Sequence, residues 1–83
     1  MNNLPYLDNE ISSNKLVPRV KARRTGDYDF ELIQQDGTTE QVKAKRSFPT
    51  QSDDGNYVWG IVFIDGRTRY YEAYLDSTKF WVM

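Results

Sequence analysis

The sequence predicts a small all-β protein. We expect five or six short antiparallel strands in a strongly bent sheet or an SH3-like or OB-like barrel, with no substantial helix. Three observations predict this. Apolar and polar residues alternate with a period of two over several runs, as half-buried strands require. Asp-Gly pairs at 36–37 and 65–66 and a glycine at 26 fall between those runs, where hairpin turns belong. Pro, Ser, Asn and Asp punctuate the rest at short intervals. A chain of 83 residues makes one domain. We divide it into an N-terminal arm over 1–15 and an all-β domain over 16–83.

The arm holds Leu4, Tyr6, Leu7 and Ile11 among Asn and Ser residues. Leu7 and Ile11 are one helical turn apart, so a single turn or an ordered arm is expected there. A first strand over 17–23 alternates Val20 and Ala22 with Arg19, Lys21 and Arg23. A second over 27–34 alternates Tyr28, Phe30 and Leu32 with Asp27, Asp29 and Glu31. Joined by Arg24-Thr25-Gly26, with Gly26 left-handed, these strands pair Arg23 with Asp27, Lys21 with Asp29 and Arg19 with Glu31. Ala22 then faces Tyr28, and Val20 faces Phe30.

A third strand over 39–46 alternates Val42 and Ala44 with Gln41, Lys43 and Lys45. A two-residue Asp36-Gly37 loop would oppose Glu31 to Val42 and mix the faces. A bulge near Ile33–Gln34, or a three-residue loop, is therefore predicted, with Leu32 opposite Val42, Phe30 opposite Ala44 and Glu31 opposite Lys43. Residues 47–56 are rich in Pro, Ser, Asp and Gly and read as a loop. The most apolar run, 57–64, and the run 67–75 read as a hairpin closed by a two-residue Asp65-Gly66 turn. That register puts Trp59, Ile61, Phe63 and Tyr70 on one face, and Tyr71 on the other. Both faces carry apolar residues, so both want cover. A short closing strand is expected over 78–82.

The net charge is −1, but the charges run in blocks. Residues 15–24 carry five cations, 27–40 five carboxylates, and 43–46 three cations. The pairing above turns these blocks into an acidic strand between two basic ones, with ion pairs specifying register more than stability.

Composition removes most chemistries. The chain has no Cys and no His, so thiolate nucleophiles, disulfides, imidazole bases and Cys/His zinc sites are excluded. Asp53-Asp54-Gly55-Asn56 superficially suggests calcium but lacks the downstream bidentate Glu of an EF-hand. No Gly-rich phosphate loop appears, and most acids alternate beside basic neighbours. We expect no enzyme, no metal and no cofactor. No apolar run approaches about 18 residues and the N-terminus has no signal-peptide pattern, so a cytoplasmic chain with no membrane partner is expected.

Binding remains. Six Tyr, four Phe and two Trp are more rings than a core this small swallows easily. Some should line a surface, and we expect Tyr57, Arg67, Arg69, Tyr71, Tyr74 and Trp81 to contact a protein partner, with an open sheet edge as a further route. The alternative is a nucleic-acid-binding small barrel. It would stack bases on Tyr or Trp and set Arg19, Lys21, Arg23, Lys43, Lys45 and Arg46 on phosphates. The near-neutral net charge favours the protein partner, since phosphate recognition wants an excess of cations. A homo-oligomer through an open edge is a third arrangement. A short Cys-free β-protein without catalytic groups fits an inhibitor or adaptor of phage or mobile-element type.

Overall fold

The computed structural model describes residues 10–74. Six strands lie among them: β1 (Glu10–Ile11), β2 (Leu16–Arg24), β3 (Asp29–Gln34), β4 (Thr39–Ser52), β5 (Tyr57–Phe63) and β6 (Thr68–Ala73). A single 3-10 turn over Ser13–Lys15 precedes β2. The expected all-β bent sheet is present. The expected strand 78–82 lies outside the described residues.

β2 to β6 form a meander in which each strand pairs antiparallel with the next, and β6 returns to β2 to close a ring. Five strands that reverse at every step leave the first and the last pointing the same way. The closing pair must therefore be parallel, and it is, with Lys21 beside Glu72 and Ala22 beside Ala73. β1 adds in parallel to the end of β4, with Glu10 beside Gln51 and Ile11 beside Ser52. Residues 10–15 of the arm thus supply a strand and the 3-10 turn, with Ile11 in the strand, while the turn expected from Leu7 starts outside the described residues.

One hairpin chemistry recurs. In each of three loops the third residue is a glycine at a φ of +90° to +92°: Gly37, Gly55 and Gly66. In each, the first flanking residue donates its N–H across the loop and accepts from the glycine. Gln34 donates to Thr38 at 2.8 Å and accepts from Gly37 at 3.0 Å, Ser52 does the same with Asn56 and Gly55, and Phe63 with Arg67 and Gly66. These are three-residue loops with a left-handed third residue, a geometry that glycine adopts at no steric cost. The Asp before the glycine completes two of them. Asp36 accepts from the Thr38 N–H and hydroxyl, and Asp65 from the Arg67 N–H and guanidinium. Those hydrogen bonds hold both carboxyls below the usual carboxylate range.

The shared turn corrects the predicted registers. A three-residue loop, one of the two devices expected there, is present over 35–37, but it sets Leu32 opposite Glu40 and Phe30 opposite Val42, two residues from the expected pairing. The 65–66 turn also contains Ile64, so Trp59 pairs with Tyr71 and Gly60 with Tyr70. One residue of slip exchanges the faces of β6. Tyr71 therefore points into the core, and Tyr70 leaves it. The first hairpin slips by four residues, pairing Arg23 with Glu31 and Ala22 with Leu32. Faces are preserved there, but Asp27 and Tyr28 fall in the loop and Tyr28 is 59% exposed instead of inward. Gly26 is not left-handed. A Cβ there would meet the Asp29 carboxylate tip at 2.9 Å, a contact the side chain can relieve by rotating.

The predicted loop 47–56 is also corrected. β4 runs unbroken for 14 residues to Ser52, and the loop shrinks to 53–55. A register shift between Ala44 and Arg46 marks a bulge that bends the strand from its pairing with β3 to its pairing with β5. Pro49 is tolerated because Ser52 and Asn56 form a hydrogen-bonded pair, so alternation leaves Pro49 and Trp59 in a non-hydrogen-bonded one. β2 is irregular as well. Five residues step from Leu16 to Lys21 while β6 advances by two. Within that bulge Arg19 has a φ of 65°, the one positive φ outside glycine among the described residues. Such a conformation costs an ordinary residue about 1–2 kcal/mol.

The core lies inside the ring. Val20 and Ala22 meet Phe30, Leu32, Ala44, Trp59, Ile61, Tyr71 and Ala73. Phe30 and Trp59 stand edge to face at 5.2 Å, and the Arg24 guanidinium lies 5.8 Å from the Trp59 ring centre. Phe63, expected in the core, is only half-buried against it. On the opposite face of β5, Val58 is buried and Gly60 lies under the Phe48 ring. A Cβ on Gly60 would meet Phe48 Cζ at 2.4 Å, and Phe48 in turn packs edge to face on Tyr70 at 6.1 Å.

Gly60→Ala should therefore push the Phe48 ring off its seat and lower stability by about 1–3 kcal/mol in urea unfolding. In a Phe48→Ala background the same change should cost clearly less. Equal costs in the two backgrounds would show that the ring does not depend on the bare backbone.

Candidate functional site

The core opens to solvent beside the 64–66 turn. A concavity of about 790 Å³ lies elsewhere; this opening, of about 670 Å³, is lined by two buried core residues, Leu32 and Tyr71. Leu32 and Tyr71, both buried, and the half-buried Val42 and Phe63 form its apolar surface. Ile64 stands at its edge with 73% of its surface exposed. Arg67, Arg69 and Glu40 are exposed and complete the rim.

Strand register places these groups. Arg69 lies opposite Ile61, and Glu40 opposite Leu32. Residues directly opposite in an antiparallel pair share a face. Both charges therefore sit on the core-facing side of their strands, at positions where solvent still reaches. Arg67 is engaged, with Nε 3.0 Å from Asp65 Oδ2. Arg69 and Glu40 form no ion pair with another described residue. Beneath them, burial pushes the Tyr71 hydroxyl above its ordinary pKa. The Arg69 charge works against that shift and the Glu40 charge adds to it.

Of the six residues expected to contact a protein, Arg67, Arg69 and Tyr71 meet at this opening. Tyr71 is floor and not surface, because the added loop residue turned it inward. Tyr57 packs half-buried against the core, and Tyr74, 39% exposed, donates its N–H to Ala22; neither lines the opening. Trp81 lies outside the described residues. Glu40, Val42, Leu32 and Ile64 were not singled out from sequence. The period of two already put Glu40, Val42 and Ala44 on one face, and that was the available signal. Ile64 became legible only once the turn was known to hold three residues.

The six candidate phosphate contacts divide. Arg23 pairs with Glu31 at 3.3 Å and Lys43 with Asp29 at 2.9 Å. Gln41 also donates to Glu31. The acidic strand thus sits between the basic ones, with partners moved by the register shifts. Arg19, Lys21, Lys45 and Arg46 are exposed. Arg46 lines a separate hollow of about 370 Å³ with Arg24, Tyr28 and Trp59.

The suggestive Asp53-Asp54 pair has local duties. Asp53 accepts from the Ser13 N–H at 3.1 Å, tying the 3-10 turn to the 53–55 loop, and Asp54 accepts from the Ser52 hydroxyl. Ring closure leaves little open edge. Among the described residues, the side of β4 away from β5 is unpaired only between Ala44 and Gln51, where Pro49 removes a donor. No helix among the described residues is long and apolar enough to cross a membrane.

Comparison with family models, with curated proteins and with solved structures yields no match.

The buried Tyr71 carries a pH signature. Its folded pKa is raised, so its contribution to stability is complete below about pH 10, the unfolded value, and is lost as pH climbs through the folded value. Tyr71→Phe should flatten the alkaline limb of a stability-against-pH curve. An unchanged limb would show that Tyr71 ionises as freely folded as unfolded.

Proposed function

We propose that this chain is a small non-catalytic protein-interaction module. It acts as an inhibitor or adaptor of phage or mobile-element type in the cytoplasm. It receives an apolar side chain of a protein partner in the opening beside the 64–66 turn. The observation that carries the reading is the combination at that opening. An apolar floor of Leu32, Val42, Phe63 and Tyr71 lies beside an exposed Ile64, under Arg69 and Glu40 of opposite sign. A partner side chain seated there covers the apolar floor, and flanking charges select which segment fits. That is the anatomy of an interface anchor.

Catalysis finds less support. The rim offers Glu40, Asp65, Lys43 and two arginines, with Asp65 and Lys43 already in ion pairs, and neither serine nor threonine lines it as a nucleophile. The nucleic-acid alternative is weakened by the acids that lie between its cations, since Arg23 and Lys43 are neutralised in place.

Arg69→Glu and Ile64→Asp change exposed residues and should leave the fold intact. Each should weaken partner capture from native-host lysate by about tenfold or more, read by quantitative pull-down. Tyr71→Ala is unsuitable as a binding probe because it empties the core. Capture that survives both surface changes would remove the opening from the interface. A mobility shift with a short oligonucleotide at about 50 mM salt, lost steeply as salt rises, would favour the nucleic-acid reading instead.

A further inference from the structure

A second contact site follows from the bulge in β2, on the premise, taken from the reading above, that the partner is a protein. Arg19 holds a backbone conformation that favours glycine, with a φ of 65°. No ion pair or hydrogen bond of its own side chain with another described residue repays it. The side chain is exposed. A purely structural bulge at this point would be better served by glycine, or by asparagine, whose side chain tolerates the left-handed region. Backbone strain at a residue whose side chain finds no partner among the described residues points to a contact made elsewhere.

The surroundings define that contact. Arg19 stands where two hollows meet, of about 790 and 490 Å³, which also share Gln34 and Gln35. The larger is walled by Leu16, Val17, Pro18 and Ile33. Cations and carboxylates mix along the pair: Arg19 and Lys21 against Asp54, Glu72, Asp36 and Glu40. A nucleic-acid backbone, charged at every step, is repelled by the four carboxylates. A polypeptide of mixed charge is not, because its own cations answer them. The two side-chain amides can hydrogen-bond an extended peptide backbone.

We propose that Arg19 is a binding residue, and that the hollows on either side of it take an extended protein segment whose carboxylate pairs with its guanidinium and whose basic residues face the surrounding acids. The bulge holds the guanidinium at the junction, and the fork geometry suits a carboxylate.

The test uses a defined probe, the peptide Ac-Lys-Ala-Glu-Ala-Lys-NH2, against the full chain, followed by NMR. Saturable shifts are expected at the Arg19 Nε–H and at the Gln34 and Gln35 side-chain amides. They should weaken at least fivefold when the central Glu of the probe is replaced by Gln. Arg19→Gly should abolish them while the urea midpoint stays level or rises, and Arg19→Lys should keep part of the binding. Three results would overturn the site: no shift at Arg19, probe binding unaffected by Arg19→Gly, or a fall in the urea midpoint on Arg19→Gly. Stronger perturbation of Arg19 by a ten-residue oligothymidylate than by the peptide would overturn it as well. Because the probe needs no natural partner, failure here leaves the opening beside Arg69 standing. Retention of the shifts in Arg69→Glu would show that the two sites act separately.

Discussion

A glycine in the left-handed region, third in a three-residue loop, decides how this chain folds. It occurs three times, at Gly37, Gly55 and Gly66, each time after an aspartate and each time with the same pair of cross-loop hydrogen bonds. Side chains on a strand alternate, so the number of residues in a turn fixes which of two faces each one joins. With Ile64 counted into the last loop, Tyr71 turns inward beneath Arg69 and Tyr70 moves out to Phe48. The pocket beside that turn exists because the turn has three residues.

Closure supplies the second constraint. Five strands in one ring must end on a parallel pair, and β2 meets β6 by bulging out at 17–20. β4 meets the demand of two partners by bending at its own bulge after Ala44. Both irregularities bring an arginine to the surface. Arg19 sits on one, and Arg46 on the other, while the regular central pairs hold Trp59, Phe30 and Ile61. A ring this small encloses few side chains, so its core reaches the surface at the opening floored by Leu32 and Tyr71.

Much of this was legible in the chain itself. Period-two alternation identified the strands of the ring, and the inward Val20, Ala22, Phe30, Leu32 and Ala44 are where it placed them. The charge blocks became an acidic strand between basic ones, as cross-strand pairing requires. Registers were less legible, because Asp-Gly also suits a two-residue hairpin loop. The choice between two and three residues depends on hydrogen bonds that composition does not encode. The span 47–52 read as loop because Pro and Ser usually break strands, yet pairing with β5 overrode local propensity. At the site, Arg67, Arg69 and Tyr71 were recognised as neighbours, but Tyr71 was assigned to the wrong face for the same reason. Glu40 passed as one more acid in a charged run. Arg19 gave no sign of strain, since φ cannot be read from a residue type outside glycine and proline.

The opening beneath Arg69 therefore depends on the register of the last hairpin. Its direct measurement is the set of cross-strand Hα–Hα NOEs between β5 and β6, which are strongest at non-hydrogen-bonded pairs. Strong signals between Gly60 and Tyr70 and between Val58 and Glu72 are expected. Signals joining Ile61 to Tyr70 and Trp59 to Glu72 would contradict it, because Tyr71 would then face outward and the opening beneath Arg69 would lose its floor.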